Sequence, residues 1–160
     1  MTDVNLLARN MMTKNLVTLS PEMEVFAAID ILLKKKISGA PVVKSTGEFV
    51  GIFSESSSMR VIINAAYENL PDAGLMPFVD IDPPVIGPDT DLLSICQTFL
   101  DQGTRRLPVL EEGRLLGQVS RRDVMRHVNQ AAKGKCEAQL LYLSALLNEG
   151  RENITLRIAQ

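Results

Sequence analysis

Apolar residues along the chain recur at two spacings, and the sequence of spacings runs through twice. Val25, Ala28, Ile29, Leu32 and Leu33 fall three to four residues apart, as on a helix with one buried face, and Leu92, Ile95, Cys96, Phe99 and Leu100 repeat the pattern. A short apolar stretch precedes each, Leu16-Val17-Thr18-Leu19 and Pro84-Val85-Ile86, and reads as a strand. Ser20-Pro21 and Gly87-Pro88, with acidic residues just after, predict where the two helices start. Two further strands follow each helix. In the first half these are Pro41-Val42-Val43 and residues 49–53, around Thr46-Gly47; in the second they are Pro108-Val109-Leu110 and residues 115–119, around Glu112-Gly113. Glycine supplies the positive φ that such tight turns often need. Proline opens each first strand, where a missing N–H costs least. A second helix closes each half, over residues 56–67 and 121–132.

The two halves align residue by residue. A shift of 67 places Pro21 on Pro88, Leu33 on Leu100, Pro41 on Pro108 and Val42 on Val109. Past the next turn the shift becomes 66, and Gly47 meets Gly113, Gly51 meets Gly117, Ser54 meets Ser120 and Met59 meets Met125. A one-residue deletion at a turn is where a repeat tolerates it. Each β-α-β-β-α unit has helices on one face of a small sheet and leaves the other face apolar. Two units cover each other by packing sheet to sheet about a pseudo-twofold axis. The expectation is a mixed α/β (α+β) module over residues 1–134, with repeat one at about 8–67 and repeat two at about 75–132. Residues 68–74 form a linker, and a C-terminal helix and tail occupy 135–160.

Composition narrows the function classes. The chain has 160 residues, 46% hydrophobic and 22% charged, with a net charge of −2. It is no electrostatic magnet for nucleic acid or membrane as a whole, and 4% aromatic content leaves few stacking platforms for nucleic-acid bases. Cys96 and Cys136 have no Cys or His at metal-ligand spacing. The N-terminus does not read as a signal peptide, and no stretch approaches about 18 apolar residues. The cytoplasm is the expected compartment. There is no nucleophile elbow, phosphate-binding loop or metal constellation, so no enzymatic activity is expected.

Three ordered motifs occur in each half. The first half has Met11-Met12-Thr13-Lys14-Asn15-Leu16-Val17-Thr18-Leu19, then Ile37-Ser38-Gly39-Ala40-Pro41-Val42-Val43, then Gly51-Ile52-Phe53-Ser54. The second has Asp82-Pro83-Pro84-Val85-Ile86-Gly87-Pro88-Asp89-Thr90-Asp91, then Arg105-Arg106-Leu107-Pro108-Val109, then Gly117-Gln118-Val119-Ser120-Arg121-Arg122-Asp123. Each half resembles a CBS domain, and the tandem resembles a Bateman module, over about residues 8–132. The resemblance implies a regulatory sensor that binds an adenosyl ligand (AMP, ADP, ATP or S-adenosylmethionine) between the repeats. Such modules often form homodimers and act on a regulated partner protein. The alternative is a structural dimerisation module with no physiological ligand.

The sharpest candidate site is Ser120-x-x-Asp123. Free N–H groups at a helix start favour a phosphate, and a carboxylate there can accept both hydrogens of a ribose diol. In the resembled family this Asp binds ribose, and the Ser or Thr lies near phosphate. The same spacing also serves as a helix cap. The first half departs from the pattern, with Ser54 followed by Ser57 where the Asp belongs. A hydroxyl carries no charge, so one good site per chain, led by the second half, is expected. Residues 105–126 hold Arg105, Arg106, Arg114, Arg121, Arg122 and Arg126 against Glu111, Glu112 and Asp123. Guanidinium forks suit phosphate oxygens. Expected adenine walls are Val85, Ile86, Leu107 and Pro108 in repeat two, with Thr18, Ala40 and Pro41 in the corresponding places of repeat one. His127 and Cys96 read as ordinary helix positions. Val4, Leu6 and Leu7 suggest an N-terminal arm packing on the module, and Leu140, Leu143 and Leu147 a C-terminal helix that folds back or pairs with a second chain.

Overall fold

The computed structural model describes residues 6–67 and 73–133. A single turn, α1 (Ala8–Met11), leads into α2 (Val25–Lys35), the hairpin β1 (Gly39–Val43) and β2 (Phe49–Ser54), and α3 (Glu55–Tyr67). A 3-10 turn at Met76–Phe78 opens the second half, followed by α4 (Leu92–Asp101), the hairpin β3 (Arg106–Glu111) and β4 (Arg114–Ser120), and α5 (Arg121–Lys133). Mixed helix and small antiparallel sheet, twice over, is the architecture the sequence predicts. The expected C-terminal helix and Cys136 lie outside the described residues.

The two hairpins share one register. Pro41 pairs with Ile52 and Pro108 with Gln118, and each hairpin has a bulge one residue further on. Both prolines sit third in their strands, not first as expected. The ladder shows why this is harmless. Ile52 exchanges both backbone hydrogen bonds with Asp80 (2.9 Å each), while the Pro41 carbonyl accepts from the Leu19 N–H (2.9 Å). Gln118 does the same with Thr13, and Pro108 with Ile86. At these pairs the hairpin partners point their polar backbone groups outward, so no ladder bond needs the missing N–H.

The expected leading strands shrink to single parallel bridges, Leu19 with Val42 and Ile86 with Val109. The first helices also begin later than predicted, at Val25 and Leu92. Pro21 and Pro88 occupy turns upstream. The N-cap of α4 is Asp91, whose side chain accepts from the N–H groups of Leu93 and Ser94 at 3.0 Å each. The N-cap of α2, Glu24, makes no such bond; instead the Val25 N–H donates to the Ala73 carbonyl (3.0 Å). Of the helical apolar positions, Val25, Ala28 and Leu32 and their counterparts Leu92, Ile95 and Phe99 are buried, whereas Leu33 and Leu100 are 72% and 76% exposed.

The repeats exchange their leading segments. Leu6, Ala8 and Met11, at the leading end of repeat one, complete the core of repeat two with Ile86, Leu92, Ile95, Phe99 and Val119. Leu75 and Phe78, at the leading end of repeat two, complete the core of repeat one with Leu19, Val25, Leu32, Val42 and Phe53. The antiparallel bridges Thr13–Gln118 and Ile52–Asp80 follow the same exchange. Gly51 and Gly117 stand where each crossing occurs. A Cβ on Gly51 would lie 2.2 Å from the Asp80 carbonyl oxygen, and one on Gly117 would lie 2.8 Å from that of Thr13. No other residue lets two backbones approach so closely.

Hydrogen bonds tie the two repeats together at both ends of the hairpins. At the hairpin tips Glu48 bridges Arg114, the Phe49 N–H donates to Gly113 O (2.9 Å), and Arg114 Nη2 donates to Thr46 O (2.7 Å). At the opposite ends Arg106 Nη1 donates to Gly39 O (3.1 Å).

Candidate functional site

A groove of about 770 Å³ opens beside that second tie, where the start of β1 meets the start of α5. The volume falls in the range of small-molecule sites. One wall belongs to repeat one. α2 ends at Lys36 in the left-handed conformation (φ 53°), which turns Ile37, Ser38 and Gly39 into the groove on their way into β1. Leu16, Val17 and Pro41 with Ile37 form the apolar part of this wall, beside Thr13 and Asn15. The other wall belongs to repeat two and is charged: Arg105, Arg106, Ser120, Arg121, Arg122 and Asp123. Four guanidiniums face one carboxylate there.

Asp123 is both cap and groove wall. Its Oδ2 accepts from the Ser120 N–H (2.9 Å) and hydroxyl (2.5 Å), and the Asp123 N–H donates to Ser120 Oγ (3.2 Å). This reciprocal capping box closes two orphan groups at the start of α5. Oδ1 accepts from Arg126 Nη1 at 3.0 Å. The side chain is 13% exposed and still reaches the groove. The cap and a place on the groove wall therefore coexist in one residue.

The arginines are held differently. Arg121 Nη2 donates to Phe99 O (3.0 Å), and its guanidinium carbon lies 5.8 Å from the Phe99 ring centroid. Arg106 is committed to Gly39 O. Arg105 and Arg122 are exposed, and among the described residues their guanidiniums have no protein partner. The Arg121 N–H donates to Arg105 O (3.3 Å), which sets these elements side by side at the groove mouth.

The pseudo-symmetric place in repeat one is a smaller cavity, about 350 Å³, lined by Ser54, Glu55, Ser56 and Thr104 and sharing Ser38, Gly39, Arg105 and Arg106 with the large groove. By the repeat alignment Glu55 stands for Arg121, Ser56 for Arg122 and Ser57 for Asp123. Ser57 is 6% exposed, and its hydroxyl lies 3.3 Å from that of Ser54. The Ser54–Ser57 pair reproduces the cap without the charge. Both cavities are lined by Ser38, Gly39, Arg105 and Arg106; they differ in Asp123, Arg121 and Arg122, which line only the larger.

The structure thus brings Ser120, Arg121, Arg122, Asp123, Arg105, Arg106 and Pro41 to one groove. It places other expected residues elsewhere. Leu107 and Pro108 are fully buried in the sheet, Ile86 is tied to Val109 in the core of repeat two, and Val85 is 43% exposed; none lines the groove. Ala40 is buried and Thr18 faces solvent, also off the groove wall. Ser54 reaches only the small cavity. Sequence reasoning missed Leu16, Val17, Ile37, Ser38 and Gly39. The alignment of Ser38-Gly39 with Arg105-Arg106 could have signalled Ser38 and Gly39, since the two pairs hold equivalent places in the repeats and line the same groove.

Sequence comparison identifies the architecture. The family model of the CBS domain matches twice, over residues 8–61 and 78–130. The chain belongs to the CBS-domain family. As a CBS pair it is 28% identical over 123 residues to the uncharacterized protein MJ1225 of Methanocaldococcus jannaschii, covering 77% of this chain and 43% of that one. It is 27% identical over 127 residues to the A-adding tRNA nucleotidyltransferase of Aquifex aeolicus, covering 79% of this chain and 15% of the enzyme. The chain spans less than half the length of these curated relatives. The crystal structure of CBSX2 in complex with AMP, an Arabidopsis thaliana CBS-pair protein, superposes with a TM-score of 0.69 at 25% identity, covering 78% of this chain and 96% of that one.

Proposed function

We propose that this CBS pair is a non-catalytic regulatory module that binds an adenosyl ligand, an adenine nucleotide or S-adenosylmethionine, in the large groove. The observation that carries the reading is the meeting of an apolar wall from one repeat with Asp123 and a guanidinium cluster from the other, in a fold shared with the AMP complex of CBSX2. The apolar side suits a purine, the carboxylate suits a ribose diol, and the guanidiniums suit phosphate. One such groove per chain is supported by the smaller counterpart in repeat one, where Ser57 stands in place of the carboxylate and does not line the cavity.

A ligand that touches both repeats favours the state in which they are locked together. A partner that binds one state better then reads the ligand. The regulated protein and a second copy of the chain are the partners this reading includes. Leu33, Met59 and Ile62, all more than half exposed between α2 and α3, supply an apolar face for protein contact. Among the described residues no helix is long and apolar enough to cross a membrane.

Thermal melting of the purified chain with AMP, ADP, ATP and S-adenosylmethionine tests the reading. At least one raises the apparent midpoint, since a ligand of the native state stabilises it by mass action. The same ligand is recovered chemically intact. No shift with any adenosyl compound contradicts the proposal.

A further inference from the structure

We propose that the groove selects an adenine nucleotide carrying two or more phosphates, and that Arg126 is a latch on Asp123 which that ligand opens. This rests on the adenosyl reading above and narrows it.

Charge carries the first half. Four guanidiniums against one carboxylate give the groove an excess of three positive charges, in a molecule whose overall charge is −2. A cleft lined by one sign of charge concentrates the opposite sign. S-adenosylmethionine brings a sulfonium and an ammonium against one carboxylate, so it enters as a net cation and is disfavoured. Arg121 and Arg106 already donate to Phe99 O and Gly39 O, while Arg105 and Arg122 have no side-chain partner among the described residues. Each of these two forks fits one phosphate group. They come from different elements, the approach to β3 and the first turn of α5, and so meet two phosphates better than one.

Acceptor counting carries the second half. An ionised carboxylate has about four lone-pair sites. In Asp123 two are used by Ser120 and one by Arg126. One site remains for a ribose hydroxyl, and a diol offers two hydrogens. The Ser120 bonds hold the start of α5, whereas Arg126 is 58% exposed and, among the described residues, paired only at i,i+3. Arg126 is therefore the partner released. An unphosphorylated nucleoside leaves that released guanidinium without a counter-charge near the groove. A polyphosphate supplies one.

Calorimetric titration of adenosine, AMP, ADP, ATP and S-adenosylmethionine into the wild-type chain, Arg105→Gln/Arg122→Gln and Arg126→Gln tests both halves. In the wild type, ADP and ATP bind about tenfold or more tighter than AMP, as one added charge-assisted contact implies, and S-adenosylmethionine binds weakest of the ligands. The double variant brings ADP to within about threefold of AMP. Arg126→Gln moves two ligands in opposite directions, weakening ADP and strengthening adenosine. The replaced side chains are exposed, and unchanged melting of the unliganded variants shows that they fold. AMP or S-adenosylmethionine binding as tightly as ADP overturns polyphosphate selection and leaves the adenosyl reading standing. Adenosine and ADP weakened alike by Arg126→Gln overturns the latch. Failure of every adenosyl compound to bind the wild type removes the adenosyl reading itself and this proposal with it.

Discussion

Ser120 and Asp123 hold each other through three hydrogen bonds, the longest 3.2 Å, and the carboxylate so held lines the groove between the two CBS repeats. A cap fixes the carboxylate in place before any ligand arrives, so a diol meets an acceptor already oriented. The proposed function therefore couples stability and recognition at this residue, and substitution separates them.

Asp123→Ala removes both roles. Unfolding in urea falls by about 1 kcal/mol, the ordinary cost of a lost helix-start cap. Asp123→Asn keeps an oxygen for the Ser120 donors and loses the charge, so its stability stays closer to wild type while adenosyl affinity falls about tenfold or more. Equal loss of stability in both variants, with affinity unchanged, contradicts the dual role.

The backbone crossings make a second test. Gly51→Ala forces a methyl to within 2.2 Å of a backbone carbonyl oxygen and costs about 3 kcal/mol in chemical denaturation. Gly117→Ala meets the Thr13 carbonyl oxygen at 2.8 Å and the Met12 sulfur at 2.9 Å. The methionine side chain gives way more easily than backbone, so this variant costs about 1–2 kcal/mol. Tolerance of both substitutions argues against the exchange of leading segments.

Asp91 gives the fold a pH signature. The Ser94 hydroxyl, which donates to it at 2.6 Å, and then the backbone N–H groups hold its carboxyl below the usual carboxylate range. A depressed folded value contributes stability that is present above the ordinary carboxylate pKa and lost as pH falls through the folded one. Asp91→Ala is destabilised near neutral pH by about 1 kcal/mol. Unfolding curves of the variant and the wild type converge as the pH drops below the carboxylate range. Asp91→Asn keeps the cap and removes this pH dependence.

Cys96 is a half-buried thiol packed against the core of repeat two. Burial first, then the nearby Asp91 charge, pushes its thiol pKa up. The thiolate is the reactive form, so an aromatic disulfide reagent labels Cys96 slowly in the folded chain and quickly in denaturant. Fast labelling without denaturant contradicts this placement.

Much of this was legible in the pattern of residues. The duplicated helix–hairpin–helix frame follows from spacing alone, because Val25, Ala28 and Leu32 and their counterparts bury one helical face whatever the tertiary context. The groove's charged wall was legible too, since Ser120, Asp123 and the arginines are close in sequence. The apolar wall was not. Leu16, Ile37 and Gly39 share a groove with Asp123 only through packing between repeats, which local pattern does not encode. Helix starts were misplaced for a related reason: Ser20-Pro21 and Gly87-Pro88 form turns, while Asp91 and the incoming Ala73 segment do the capping. The exchange of leading segments left a trace in Gly51 and Gly117, but a glycine in a strand does not name the segment that crosses it.

The central claim is one charged groove per chain that takes an adenosyl ligand through Asp123. Calorimetric titration of ADP into the wild-type chain and into Asp123→Asn tests it most directly. The account predicts a stoichiometry near one ligand per chain and about tenfold or greater loss of affinity in the variant. Two equivalent tight sites per chain, or an isotherm that the substitution leaves unchanged, would contradict it.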